Sequence, residues 1–220
     1  MWFQDDDWLD FHMIQTWTEW SKVYPAVAVD TQRVPLRPVV LAEGAYENGP
    51  EYPQGPITPL IVRRQACWAS LAGGYFTYGQ NQMWRMEPGW TDTFDTPGAL
   101  SMAHFKNIVT QRPWWKRVPD QGLIASGTGS ERTLNAAARN PEGTRALVYL
   151  SSQCHVLLQL DRMQTRRVKV TLVNPANGER VDAGVYETHH YANPSYREPW
   201  FSTPPFWEDA VLVLDALDGT

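Results

Sequence analysis

The stretch PVVLAEGAYE, residues 38–47, decides the fold, because a short apolar run in it ends in a carboxylate. Residues 38–42 are apolar, Glu43 follows them at once, and Gly44 opens a loop rich in Gly and Pro. A buried strand that delivers a carboxylate into such a loop is how α/β barrels present catalytic groups. The alternative is an acidic residue that ends a strand at the surface. The functional interpretation gains support from the rest of the chain, which repeats the same unit before and after Glu43.

The amino-terminal half alternates predicted strands and helices. The predicted strands are Trp8–Gln15, Pro38–Ala42 and Tyr75–Gly79. The predicted helices run from Thr16 or Thr18 to about Asp30, from Leu60 to Leu71 and from Pro97 to about Gln111, with a long loop over residues 81–96. This alternation predicts a parallel sheet with helical crossovers. Three such units do not close a barrel, which needs eight.

From Pro113 onward the pattern changes to short, often β-branched segments separated by turn signals. The predicted strands are Glu131–Ala138, Thr144–Leu150, His155–Leu160, Arg167–Val173, Glu179–Tyr186 and Asp209–Leu214. Such spacing predicts an antiparallel β-sandwich of seven or eight strands. With the boundary near residues 112–122, the chain divides into domains at 1–112 and 113–220.

Composition narrows the classes of partner. The 220 residues carry a formal net charge of -5, which gives no basic footprint for nucleic acid. No apolar run reaches membrane-spanning length, and residues 1–7 lack the pattern of a secretory signal. Cys67 and Cys154 fall in different predicted domains without the neighbours of a metal or redox motif. We therefore expect no nucleic acid, membrane, metal or cofactor as a partner, while the compartment stays open.

Six segments of the chain resemble the apiosidase-like glycoside hydrolases, in which a TIM barrel precedes a small β-sandwich described as collagen-binding. They are WLDFHMIQT (8–16), PVVLAEGAYE (38–47), VRRQACWASLAGGYFTYGQNQMW (62–84), RPWWKRVPDQ (112–121), RALVYL (145–150) and EDAVLVLD (208–215). The resemblance implies an α/β plus all-β chain, the C-terminal portion of a (β/α)8 barrel followed by an antiparallel β-sandwich. It also implies a bacterial enzyme whose full-length form is secreted or periplasmic.

The resemblance places Glu43 at the end of the seventh barrel strand, the position of the nucleophile in this large clan of sugar-cleaving barrels. The acid/base carboxyl belongs to the fourth strand, which would precede Met1. The chain is then expected to be a truncated product or a relative without the first half of its barrel. Glycoside cleavage needs two carboxyl groups. No residue stands out as the acid among Asp10, Glu19, Glu51 and Glu87.

The implied substrate is a plant-type or related glycan, cleaved at an O-glycosidic bond, and six residues are expected to bind it: His12, Gln15, Glu47, Tyr78, Asn81 and Trp84. His12 would bond a sugar hydroxyl or orient a carboxylate, or be a core histidine, and relatives tend to have Asn there. Gln15 is expected to share its face. Glu47 would bind a sugar hydroxyl or pair with an arginine such as Arg63 or Arg64.

An amide beside two aromatic rings is typical of sugar binding, which favours Tyr78, Asn81 and Trp84 as ligands. The family pattern here is close to His-Thr-Tyr-Gly-His-Asn, whereas residues 76–81 read FTYGQN and lack both histidines. Trp68 is expected in the core. The pair Trp114-Trp115 is expected to join the two domains rather than to form a sugar platform. Residues 189–191 (HHY) are expected to form a solvated loop.

Two other interpretations remain open. In the first, the protein is a non-catalytic module whose β-sandwich binds a carbohydrate or a protein, and the half-barrel is vestigial. Alternatively, the open parallel strands leave unpaired edges and one uncovered face, which favour a homo-oligomer that covers them.

Overall fold

The computed structural model describes residues 3–49, 55–111, 113–188 and 198–217. Residues 189–191 and Glu51 lie outside this part of the chain. The chain divides into two compact units, Met1–Val109 and Thr110–Thr220. In the described residues, no helix is both long enough and apolar enough to cross a membrane.

The first unit is built on a three-stranded parallel sheet. Its strands are β1 (His12–Gln15), β2 (Val39–Glu43) and β3 (Tyr75–Phe76), and β2 lies in the centre. The helices are α1 (Val23–Asp30), α2 (Pro59–Leu71), α3 (Asn81–Arg85) and α4 (Pro97–Val109). β1 and β3 are shorter than the sequence predicts, and β2 has the predicted length but lies one residue further along, so that it includes Glu43. The expected loop over 81–96 contains α3 and a 3₁₀ turn at Trp90–Thr93.

Helix α2 begins where local chemistry places it. The Thr58 Oγ1 accepts a hydrogen bond from the Ile61 amide at 3.4 Å, and Pro59 occupies the first helical position. Trp68 of this helix is fully buried, as expected. The Trp20 ring stacks on Trp68 with centroids 5.9 Å apart and an interplanar angle of 11°. Helix α2 is thus anchored by packing as well as by its cap.

The two faces of the parallel sheet differ. Val39 and Leu41 of β2 are fully buried, as are Val27 of α1 and Ala66 of α2. Met13 of β1, by contrast, is 69% exposed. One face is therefore covered by helices and the other is open in this unit.

The second unit contains two antiparallel sheets. Its strands are β4 (Val118–Pro119), β5 (Ile124–Ser126), β6 (Ala136–Arg139), β7 (Arg145–Leu150), β8 (His155–Leu158), β9 (Arg167–Val173), β10 (Arg180–Glu187), β11 (Trp200–Ser202) and β12 (Ala210–Ala216). The larger sheet has the order β10-β9-β12-β7-β6-β4 and the smaller one β11-β8-β5. Both sheets contribute to one apolar cluster, for example Val148 and Leu212 from the first and Val156 and Phe201 from the second.

The predicted strand β9 matches the structure residue for residue, whereas the segment Glu131–Ala138 does not. Glu131–Thr133 forms a 3₁₀ turn, and the strand β6 begins only at Ala136. Glu131 has a φ of 47°, which is incompatible with a strand. The short strands β4, β5 and β11 lack a clear alternation, and the sequence does not predict them.

A buried carboxylate ties three parts of the second unit together. Asp120 accepts hydrogen bonds from Arg139 Nε at 2.6 Å and from Arg162, whose Nη2 lies 2.7 Å from Oδ1. Burial by itself would raise the pKa of Asp120. The hydrogen bonds from Arg162 and Arg139 outweigh burial, so the pKa lies below its usual value.

Candidate functional site

The site forms where the parallel strands end. Gln15 is the last residue of β1 and Glu43 the last of β2, and the two are direct partners in the ladder. The Thr16 amide donates to the Glu43 carbonyl oxygen at 3.0 Å, which fixes the backbone at this point. The carboxyl ends of parallel strands meet at one edge of a sheet, the usual place for ligands in α/β folds.

A shift in register decides which way Glu43 faces. The first three residues of β1 pair one for one with Val39–Leu41, but Gln15 pairs with Glu43 and skips Ala42. Strand side chains alternate between faces, so one extra residue reverses the face of everything after it. Without Ala42 as the extra residue, Glu43 would follow the buried side chains of β2. With it, Glu43 shares the open face with Met13.

The Glu43 carboxylate is half-buried and is not engaged by other side chains of the described residues. Within the described ranges, its side chain takes part in no hydrogen bond or ion pair. A carboxylate that the fold neither neutralises nor engages is available to a ligand or a reacting atom.

His12 and Gln15 do not share a face, so that expectation is wrong. They are three residues apart on one strand, and an odd separation places side chains on opposite faces. His12 is 3% exposed and pairs with the buried Val39, while Gln15 is exposed beside Glu43. The Nε2 atom of His12 has no hydrogen-bond partner in the described part of the chain.

Glu47 is a fully internal carboxylate. Its side-chain oxygens accept from Tyr78 Oη at 2.5 Å, Thr96 Oγ1 at 2.8 Å and the Gly98 amide at 2.8 Å. Gly98 lies in the first turn of α4, where the helix macrodipole favours a negative charge. A Cβ on Gly98 would come within 2.3 Å of Glu47 Oε2, so the close approach requires glycine. Neither Arg63 nor Arg64 is among its partners.

Tyr78 donates a hydrogen bond to Glu47 in this network. Burial raises its pKa, and the hydrogen bond to Glu47 raises it further. Because its ordinary pKa is already about 10, the hydroxyl stays protonated at neutral pH. Tyr78 and Glu47 therefore join the loop after β2 to the loop after β3.

An exposed tryptophan lies beyond this network. Trp84 is 59% exposed, and its Nε1 donates to Asn81 Oδ1 at 3.4 Å. The ring meets Tyr46 edge-on, with centroids 6.4 Å apart, and the Arg85 guanidinium lies 5.2 Å from the Trp84 ring centroid. Gly79 allows this arrangement, because a Cβ there would lie 2.3 Å from the Tyr46 ring.

Sequence reasoning missed Tyr46, Gln80 and Thr96. Gln80 begins α3 by accepting from the Met83 amide at 2.8 Å, a three-residue capping pattern that is readable in the sequence. Thr96 and Tyr46 carry no such local signal, because their partners are distant in sequence. Among the described residues, no group of three or more His, Cys, Asp or Glu side chains is arranged to hold a metal ion.

The family model described as "Apiosidase-like, catalytic domain" matches residues 1–116, more than half of the 220. A second, described as "Putative collagen-binding domain of a collagenase", matches residues 118–215. The comparison with curated proteins found no match.

Two solved structures share the fold. One is the crystal structure of a glycoside hydrolase family 5 protein from Bacteroides vulgatus ATCC 8482, with a TM-score of 0.86 at 23% identity. The match covers 99% of the present chain and 52% of the chain in that structure. The other is described as a glycoside hydrolase, with a TM-score of 0.87 at 22% identity, covering 100% of this chain and 55% of its own. The present chain thus spans about half the length of both.

Proposed function

Since the chain belongs to the apiosidase-like glycoside hydrolase family, we propose that its first unit carries the nucleophile of a glycosidase, Glu43. In this proposal β1, β2 and β3 are the last three strands of a (β/α)8 barrel, and the second unit is an antiparallel β-sandwich. The likeness in fold to two solved glycoside hydrolases, one of them described as a family 5 protein, supports this assignment.

One observation carries the proposal: Glu43 ends the central strand on its open face and has no partner among the described residues. In a glycosidase, such a carboxylate attacks the anomeric carbon while a second carboxyl group protonates the departing oxygen. The glycosidic C–O bond breaks as the bond from Glu43 to carbon forms, and water later releases the sugar. We propose that the second carboxyl group comes from outside β1–β3.

The substrate proposed is a plant-type or related glycan. Trp84 supplies an exposed ring for stacking, with Asn81 beside it, and Gln15 lies next to Glu43 as a hydrogen-bonding amide. We assign Glu47 and Tyr78 to holding the loops rather than to the sugar, because the Glu47 side chain is buried with all its contacts internal. His12, on the covered face, is likewise not assigned to the sugar.

Substitution of the nucleophile tests the proposal. Glu43→Gln, in the longest natural form of the protein, should lower the release of reducing sugar from plant cell-wall glycans by at least about a thousandfold. A suitable control is Glu19→Gln, because Glu19 is an exposed carboxylate paired with Lys22. Full activity in the Glu43 variant would overturn the assignment.

We also propose that the open sheet is covered in the natural protein. Each of β1 and β3 pairs on one side only among the described strands, and such edges associate with further strands. The missing strands would come from a longer form of the same polypeptide or from a second copy. The intact mass of the native product, together with light scattering on the purified chain, distinguishes these two sources from an uncovered monomer.

A further inference from the structure

A pocket of about 240 Å³ lies within the second unit. Its walls come from the segment around the 3₁₀ turn Trp114–Lys116, from the turn between β6 and β7, and from the start of β7. We infer that this pocket binds one anionic sugar ring, with Trp114 against the ring and the surrounding cations facing its acidic group.

The charge of the lining is opposite to that of the whole chain. Lys116, Arg117 and Arg145 line the pocket together with a single acid, Glu142. The formal net charge of the chain is -5. A concentration of three cations around one pocket raises the local concentration of an anionic ligand.

The cations differ in how firmly they are held. Arg145 donates through Nη1 to the Gln111 carbonyl at 2.5 Å, and its Nε lies 3.4 Å from Asp215 Oδ1. Lys116 lies 3.5 Å from Glu142, and the two side chains are about half exposed, at 53% and 51%. An exposed pair of this kind contributes little to stability. Lys116 can therefore turn to a ligand at little cost.

The backbone of the pocket is set before any ligand arrives. Asn140 Oδ1 accepts hydrogen bonds from the Thr144 amide at 2.9 Å and the Arg145 amide at 2.8 Å. These bonds close the turn between β6 and β7. A preformed turn spares the ligand the entropy of ordering it.

The apolar part of the pocket and its size favour a single ring. Trp114 and Leu147 line it. The Trp114 indole meets Trp115 edge-on, with ring centroids 6.0 Å apart and an interplanar angle of 84°. The volume is below the range of about 300 to 1,000 Å³ typical of pockets for drug-sized ligands. Binding here requires no chemistry at Glu43, so this inference stands independently of the proposed function.

Three matched probes test the inference by calorimetry on the full chain: methyl glucuronide, methyl glucoside 6-sulfate and methyl glucoside. We expect one or both anionic probes to bind at least about tenfold more tightly than the neutral one and to weaken with added salt. The anion that binds more tightly identifies the preferred acidic group as a carboxylate or a sulfate ester. Equal binding of the neutral sugar, or no saturable binding of either anion, overturns the inference.

Substitutions that remove either a positive or a negative charge from the lining distinguish residues that bind the ligand from residues that only maintain the fold. Lys116→Gln should weaken the anionic probe severalfold, and Glu142→Gln should strengthen it, because each changes the charge of the lining in one direction. Lys22→Gln, which removes an exposed lysine of the first unit, should change nothing. Trp114→Ala should weaken binding of the anionic probe. Trp115→Ala should not, because the Trp115 side chain is 66% exposed and does not line the pocket. Unchanged affinity in both charge variants overturns the inference even if Trp114→Ala fails to fold.

Discussion

Glu43 and Glu47 are four residues apart, but their side chains make very different contacts. Glu43 is half-buried and has no bonded partner among the described residues, whereas Glu47 is 1% exposed and accepts from Tyr78, Thr96 and Gly98. The first carboxylate is free to react because the fold does not use it. The second is committed, because removing its charge would leave buried donors unsatisfied.

This difference in contacts predicts different effects of the two substitutions on stability. Glu47→Gln replaces one acceptor oxygen by a donor amide, which cannot serve all three present donors, so the free energy of unfolding should fall by about 1 to 3 kcal/mol. Glu43→Gln should leave it almost unchanged. Urea unfolding of both variants beside the parent measures the contrast. Equal stability of the two variants would mean that the Glu47 network does not hold the loops.

At the scale of elements, single residues set how strands and turns meet. Ala42 shifts the register between β1 and β2, and so turns Glu43 toward the open face. In the second unit, Asp120 connects Arg139 at the end of β6 to Arg162 in a 3₁₀ turn. Both are features of pairing between elements and leave no trace in hydropathy.

The Asp120 cluster predicts a pH dependence of stability. Because the folded-state pKa of Asp120 is lowered, its ionised form stabilises the fold above the unfolded pKa of about 3.9. That contribution is lost as the pH falls through the lower, folded-state pKa. Asp120→Asn should lower the free energy of unfolding near neutral pH by about 1 to 3 kcal/mol. It should also flatten the acid dependence seen in thermal melts.

Asp182→Asn is the matched control, because Asp182 is 63% exposed in its pair with Lys169. Its effect at neutral pH should be much smaller than that of Asp120→Asn, because solvent screens an exposed ion pair. An Asp120 variant as stable as this control would show that the two arginines do not depend on Asp120.

At the scale of the whole molecule, the two units differ in how completely they bury their apolar surface. The second unit has one apolar cluster to which both sheets contribute, with Val148, Leu158 and Leu212 at 0% exposure. The first has an open sheet face and exposed aromatic residues such as Trp8 (67%) and Trp17 (57%). Exposed apolar surface of this kind promotes association.

We therefore expect residues 113–220 expressed alone to fold cooperatively, and residues 1–112 alone to self-associate or aggregate. Thermal unfolding and light scattering of the two pieces measure this. A molten second piece, or a stable monomeric first piece, would contradict the expectation.

The sequence by itself determined the features that depend on neighbours along the chain. The start of α2 follows from Thr58 and Pro59, strand β9 from alternation over Arg167–Val173, and the position of Glu43 from the apolar run before it. Only the tertiary structure decided what Glu43 faces and what Glu47 binds. The partners of Glu47 lie 31 to 51 residues away, and the face of Glu43 depends on one skipped residue between two strands. Local propensity acts over a few residues, whereas these outcomes depend on contacts made when distant segments pack together.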